Sequence, residues 1–383
     1  MSVKSSYFKL SKSDFDNYLT TIKNQTSTMH FLDYTTNPYF FFETNEIGSL
    51  IIQLNKAECQ FNLLINSFSS FTRNQIIQSF LLSEIDSTNK IENIYSTRHD
   101  IFSIMNHLKN DNHNLKIHSI VNAYQLLLQS RGSRIDALKD IKGIYENLLE
   151  GTLEKDDLPD GEYFRKGPVY ITDGIKTIHT GISNEENINH AMEEFIAIYN
   201  SSINIYERMI LSHFIIEKIH PYYDGNGRLG RFLFSNGIYF ETNSLMSFIV
   251  STSFAKDKSR YYKAFKDESD KYEFGCINVF VEETGKLLLE NVKETMHELE
   301  SKKNSIKDLI IPDDLSKTEI RIYSLIAEAS LFSDFGISNE EILNETGVSK
   351  RSLIYAMNHF KELGILEDTK FGRLTYHKLN KLH

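Results

Sequence analysis

Twelve consecutive residues, His220-Pro221-Tyr222-Tyr223-Asp224-Gly225-Asn226-Gly227-Arg228-Leu229-Gly230-Arg231, gather the side chains of this chain best suited to chemistry. An imidazole exchanges a proton near neutral pH, so His220 is a candidate general base. A Gly-Asn-Gly turn that opens a helix offers backbone N–H groups and the positive end of the helix dipole, a combination that binds phosphate. Arg228 and Arg231, three residues apart on one helical face, reach a single anion together. Asp224 is a hard oxygen donor beside that anion, where Mg²⁺ is held mostly by phosphate oxygens and water. A base, a phosphate nest, an arginine pair and a metal carboxylate describe phosphoryl or nucleotidyl transfer.

These groups need rigid supports. Apolar runs flank the stretch, ending Phe214-Ile215-Ile216-Glu217-Lys218-Ile219 before it and reading Phe232-Leu233-Phe234 and Ile238-Tyr239-Phe240 after it. The motif therefore reads as a loop between two buried helices, with Gly225-Asn226-Gly227 opening the second.

The twelve residues resemble the signature of the Fic family, His-Pro-Phe-x-Asp/Glu-Gly-Asn-Gly-Arg-x-x-Arg. They depart from it only at the third position, where Tyr222 stands for Phe and brings a hydroxyl that needs a partner if buried. The resemblance implies a protein adenylyltransferase, which moves AMP from ATP to a Tyr, Ser or Thr hydroxyl of a target protein, the chain itself being a second candidate target. In that reading His220 is catalytic and Asp224 holds Mg²⁺. Gly225, Asn226, Gly227, Arg228, Leu229 and Arg231 bind the nucleotide, and Tyr262, in Ser259-Arg260-Tyr261-Tyr262, sits near the adenine, with core packing as the other account of that tyrosine pair.

Ser83-Glu84-Ile85-Asp86-Ser87-Thr88-Asn89-Lys90-Ile91-Glu92-Asn93 places Thr88 and Glu92 at i and i+4 on one helical face. Beside a Fic signature it is similar to the family's inhibitory motif, Ser/Thr-x-x-x-Glu-Gly/Asn, with Thr88, Glu92 and Asn93 in the specified positions. The resemblance pairs Glu92 with Arg231 inside the nucleotide pocket, where a carboxylate competes with the ATP γ-phosphate for one guanidinium fork. The alternating β-branched residues around Asp173-Gly174 make a hairpin. It resembles the Fic flap, in which Lys176, Thr177, Ile178 and His179 align a target segment by strand-like pairing. Two other readings fit the same residues. One is a DNA-binding regulator whose Fic core senses nucleotide. The other is a de-adenylylating hydrolase in which Glu92 activates water.

The length of 383 residues implies two to three domains, and the 40% apolar content with 26 Phe and 20 Tyr supplies real cores. A net charge of −10 and a pI near 5.8 leave no global basic footprint for coating nucleic acid. Cys59 and Cys276 are the only cysteines, so no disulfide framework is expected. The opening Met1-Ser2-Val3-Lys4-Ser5-Ser6 lacks an apolar signal core, and no apolar run approaches the roughly 20 residues of a membrane span. The expected location is cytoplasmic, with no membrane partner.

The expected fold class is mainly α: a Fic helical core with a small β-hairpin flap, an N-terminal helical region and a C-terminal winged-helix domain. Residues 1–37 read as polar and mixed, with structure beginning at Tyr39-Phe40-Phe41-Phe42. A helical hairpin follows over about 46–85, with Thr72 or Asn74 capping its second helix, and an amphipathic pair spans 112–149. Boundaries are expected after 111 and, in the charged run Lys293 to Lys303, after 303. The segment 304–383 reads as a helix over 317–329, a capped helix from Ser338, a third helix from Lys350, and a hairpin about Gly372, the pattern of a winged helix-turn-helix. Residues 313–383 hold nine Lys and Arg against eleven Asp and Glu. DNA binding, contact with a protein and a structural cap all stay open as the role of this module, and a homodimer stays open for the chain as a whole.

Overall fold

The computed structural model of the chain describes residues 3–32, 38–107, 115–172, 177–268 and 270–380. They are mainly helical, with small antiparallel sheets. Two short helices come first, α1 (Val3–Lys9) and α2 (Lys12–Lys23), the latter capped by Ser11, whose hydroxyl accepts the Asp14 N–H. The expectation that structure begins only at Tyr39 is thus corrected. Val3, Phe15 and Ile22 bury against Phe40, Phe42 and Cys276, a satellite core assembled from distant segments that no local period announces. Strands β1 (Met29–Phe31) and β2 (Tyr39–Phe41) pair antiparallel, and Tyr39 to Phe42 are all buried, as a core anchor should be.

The expected helical hairpin is α3 (Asn45–Asn66) and α4 (Ser70–Ile91). Neither Thr72 nor Asn74 caps α4. Ser69 does, its hydroxyl accepting the Thr72 N–H at 3.1 Å, so the helix starts a few residues earlier than the apolar period alone indicated. Next come α5 (Arg98–Met105), α6 (Leu115–Ser130) and α7 (Leu138–Leu149). Strands β3 (Tyr170–Thr172) and β4 (Thr177–Thr180) pair as the expected hairpin. Its Asp173-Gly174 turn and Lys176 lie outside the described residues, as do the side chains of Thr177, Ile178 and His179.

The centre of the molecule is α8 (Glu185–Tyr199), α9 (Ile205–Ile219) and α10 (Asn226–Thr242), with α11 (Val250–Lys256), α12 (Lys258–Glu268) and α13 (Asn278–Lys307) around them. Helices α9 and α10 pack on each other and are buried on nearly every face, as a helix at the heart of a large domain must be. The boundary expected after 303 falls inside α13, which runs unbroken through the charged stretch to Lys307. Lys and Glu are good helix formers, so that run is the solvated face of a continuing helix and no linker.

The last elements are α14 (Lys317–Phe332), β5 (Ile337–Ser338), α15 (Asn339–Thr346), α16 (Lys350–Glu362), β6 (Leu366–Phe371) and β7 (Leu374–Leu379). The strands form one antiparallel sheet in the order β5-β7-β6. Ser338 and Glu341 make the expected capping box, and Gly347 closes α15 in the left-handed conformation. This unit has its own core, in which Ile322, Ile326, Ile337, Leu353 and Phe360 meet Phe71 of α4. It is seated on α4 and α5. Phe102 packs against Phe335, Phe371 and Tyr376, and His99 stacks on Phe371 at 4.2 Å. Arg98 reaches both Ser83 on α4 and Asp334, the latter at 2.6 Å.

Candidate functional site

The motif loop joins α9 to α10, and its shape follows from hydrogen bonds inside the loop. His220 closes α9 in the left-handed region, at φ 52 and ψ 64, an uncommon conformation for a residue with a Cβ. Gly225, at φ 80, is the N-cap of α10, where only glycine turns without strain. The Asn226 carboxamide clamps Tyr222, accepting its N–H at 2.9 Å and donating to its C=O at 2.8 Å. Asn226 was expected among the nucleotide-binding residues. Its side chain is spent on the loop, so only its backbone N–H stays at the helix start. Leu229 likewise offers nothing to a ligand, because its side chain is fully buried and its N–H bonds Gly225 C=O. Tyr222 lies flat on Tyr145, rings 3.4 Å apart, and its buried hydroxyl has no hydrogen-bond partner among the described residues. Tyr145 in turn donates to the Asp224 C=O at 3.0 Å.

Both arginines are buried and both meet carboxylates. Arg228 donates to Asp224 at 3.1 Å. Burial pulls the Arg228 guanidinium pKa down, against the opposing charge of Asp224. Arg231, 1% exposed, donates to Glu92 Oε1 at 2.7 Å through Nη2 and to Thr88 Oγ1 at 2.9 Å through Nε. The residues singled out in the two separate stretches therefore meet at one guanidinium. Burial pushes the Glu92 carboxyl upward, but Arg231, with Arg228 and Lys258, outweighs it and holds the group below the usual carboxylate range. For Arg231 burial acts downward, and Glu92 more than restores the charge. Gly227 leaves the room this pair needs: a Cβ there would lie 2.2 Å from Glu92 Oε1.

Glu92 is positioned by the way α4 ends. It is the C-cap, Asn93 follows at φ 57, the Asn93 N–H returns to Lys90 C=O, and the Ile94 N–H returns to Asn89 C=O. That is a Schellman closure, and asparagine is the residue with a Cβ that best tolerates its left-handed position. Lys258 was not anticipated. Its ammonium donates to Ile91 C=O at 2.6 Å and to Asn93 Oδ1 at 3.2 Å, tying the end of α4 to the start of α12. Glu84, fully buried one turn before Thr88, was also missed. It accepts the N–H groups of Ser251 and Thr252 at the N-terminus of α11, while burial lifts its carboxyl to about 7. Tyr262, half-exposed, donates to Ile91 C=O at 3.3 Å and so stands beside Glu92.

Asp224 has an exposed side chain apart from its bond to Arg228. Among the described residues no group of three or more His, Cys, Asp and Glu forms a ready-made metal cage. A lone carboxylate next to a helix N-terminus suits a Mg²⁺ ion whose other ligands come from phosphate and water. No helix among the described residues is long and apolar enough to cross a membrane.

The region that holds this loop is similar to known proteins. Residues 135–236 match the model of the Fic/DOC family. A curated protein of Aquifex aeolicus (strain VF5), named "Probable protein adenylyltransferase", is 25% identical over 219 residues, which are 51% of this chain and 62% of that protein. The match therefore spans less than two thirds of the relative's length. The crystal structure of a Fic family protein from Desulfovibrio desulfuricans G20 is similar over 90% of this chain and 98% of that chain, with a TM-score of 0.56 and 19% identity. That likeness concerns the fold. Fic-1 of C. elegans covers 67% of this chain and 73% of its own at 14% identity, with a TM-score of 0.48.

Proposed function

We propose that this chain is a Fic-type protein adenylyltransferase held back by its own Glu92, and that it transfers AMP from ATP to a Tyr, Ser or Thr hydroxyl of a target protein. The observation that carries this reading is the buried Arg231. It lies on the helix that opens with the phosphate nest, and its carboxylate partner comes from 139 residues away on a different helix. A guanidinium so placed suits a triphosphate, and Glu92 occupies the seat a γ-phosphate would take.

In the proposed reaction His220 takes the proton of the target hydroxyl. That oxygen attacks the α-phosphorus of ATP, the α–β bridging bond breaks, and its electron pair leaves with pyrophosphate. The N–H groups at the start of α10 and the Arg228 and Arg231 side chains receive the phosphate oxygens. Mg²⁺ held through Asp224 would supply neutralisation of phosphate charge. The β3–β4 hairpin is read as the flap on which an extended target segment pairs. The C-terminal unit of α14 to α16 with the β5-β7-β6 sheet is read as a winged helix.

The test uses Mg²⁺ and ATP labelled on the α-phosphate, with cell lysate as the source of targets. Wild type, Glu92→Gly and Glu92→Gly/His220→Ala run side by side. Label on protein in the Glu92→Gly reaction alone is the expected result. Undiminished label in the double variant would sink the role of His220. Free AMP released from a pre-modified protein, with no forward labelling, would move the reading to hydrolysis.

A further inference from the structure

Arg165 and Arg231 are the two arginines among the largest fully buried side chains, and every printed side-chain hydrogen bond of Arg165 goes to a main-chain carbonyl. Its acceptors are main-chain carbonyls. Nε donates to His220 C=O at 2.9 Å and Nη2 to Ile182 C=O at 2.8 Å, while Nη1 reaches Gly167 C=O. A longer contact of 3.5 Å runs from Nη2 to Ile219 C=O, and the Arg165 N–H donates to Pro221 C=O at 3.2 Å. Such burial works against the guanidinium charge, a cost that the bonds to main-chain carbonyls offset. Five bonds from one residue thus join two segments. One is the left-handed turn 219–221 that carries His220. The other is the base of the β3–β4 hairpin, at Gly167 and Ile182.

Neighbouring bonds stitch the same seam. The Ile182 N–H donates to Ile219 C=O at 3.1 Å, and the Gly181 N–H closes the hairpin base on Val169 C=O at 3.1 Å. On the other side Tyr223 accepts the Gly167 N–H at 2.8 Å and donates to Asp160 at 3.0 Å, which also receives the Lys166 N–H. The catalytic loop and the hairpin base are therefore one hydrogen-bonded body with Arg165 at its centre.

We infer that Arg165 is a positioning residue for transfer: it fixes the left-handed His220 and the hairpin as a unit, so that the base and the strand that presents the target hydroxyl keep a common register. This rests on the adenylyltransferase reading above. None of its bonds involves the phosphate nest or Arg231, so nucleotide affinity should be insensitive to it while the chemical step is not. A base displaced by about 1 Å loses rate on the order of a hundredfold. Lysine has one ammonium where arginine has a planar fork of five donors, so it cannot span carbonyls on both segments.

The experiment compares Arg165→Lys and Arg165→Ala with the parent, all in the Glu92→Gly background. Three quantities are measured: ATP affinity by calorimetry, kcat and KM for transfer, and the His220 Cε1–H resonance in ¹³C-histidine-labelled protein. The expected result for Arg165→Lys is ATP affinity within about threefold, kcat reduced roughly 10- to 100-fold, and a shifted His220 resonance. Partial recovery of Arg165→Ala by added guanidinium is expected as well. The inference is overturned if Arg165→Lys keeps kcat within twofold, or if kcat and ATP affinity fall together, as general unfolding would cause. If the parent shows no transfer, the adenylyltransferase reading fails and the resonance decides alone: a shift supports the positioning role, and an unmoved resonance ends it.

Discussion

Glu92→Gly should weaken the resting protein and strengthen its hold on ATP, and both effects come from one guanidinium. The substitution removes an acceptor 2.7 Å from Arg231 Nη2, leaving Thr88 Oγ1 at 2.9 Å and the Thr88 carbonyl at 3.4 Å as partners of a side chain that is 1% exposed. Breaking a fully buried pair costs about 3–5 kcal/mol, but the Glu92 side chain is 31% exposed, so screening lowers the expectation to about 1–3 kcal/mol. At about 2 °C per kcal/mol for a protein of this size, the unliganded variant should melt roughly 2–6 °C below wild type. The same energy no longer opposes a phosphate at Arg231, so ATP affinity should rise by about 5- to 150-fold. Saturating ATP returns stability by mass action, and the melting gap should close. Scanning calorimetry over a range of Mg-ATP concentrations, with titration calorimetry for affinity, measures both halves. A variant that melts lower but binds ATP no better would refute the idea that Glu92 and phosphate compete. One that behaves as wild type in both would show that the pair contributes nothing.

Three further outcomes follow from the same contacts. The Glu92 carboxyl is held below its ordinary value near 4.5, so its contribution to stability is complete above that value and is lost as pH falls through the lower folded value. Restraint by Glu92 should therefore be constant from pH 6 to 8, and a steep change in the wild-type to Glu92→Gly activity ratio across that range would contradict it. Tyr222→Phe deletes a buried hydroxyl that lacks a partner among the described residues, so stability should hold or rise by about 1 kcal/mol in a urea melt; a loss above that size would reveal a bond the hydroxyl makes. Phe102→Ala empties the contact with Phe335, Phe371 and Tyr376 and should cost about 3–5 kcal/mol, with faster hydrogen exchange over 366–379. Unchanged exchange there would mean that the C-terminal unit is seated by other contacts.

What the sequence determined by itself is what short-range bonding determines. The motif loop was legible because its geometry is local: Gly225 needs a positive φ, and α10 starts where the glycines allow. Ser338, Gly347 and the hairpin about Gly372 were legible for the same reason. The pairing of Glu92 with Arg231 was reached through resemblance to a family, since nothing local joins residues 139 positions apart. Only the tertiary structure decided the rest. It turned Asn226 and Leu229 inward, continued α13 through its charged run, and folded α1 and α2 onto Phe40 and Phe42. It also put Arg165, Lys258 and Glu84 to work on backbone groups of distant segments. A side chain that bonds main-chain carbonyls or N–H groups leaves no partner residue type to search for in the sequence. Such contacts exist only once packing has brought the two segments together and removed the water that would otherwise satisfy them.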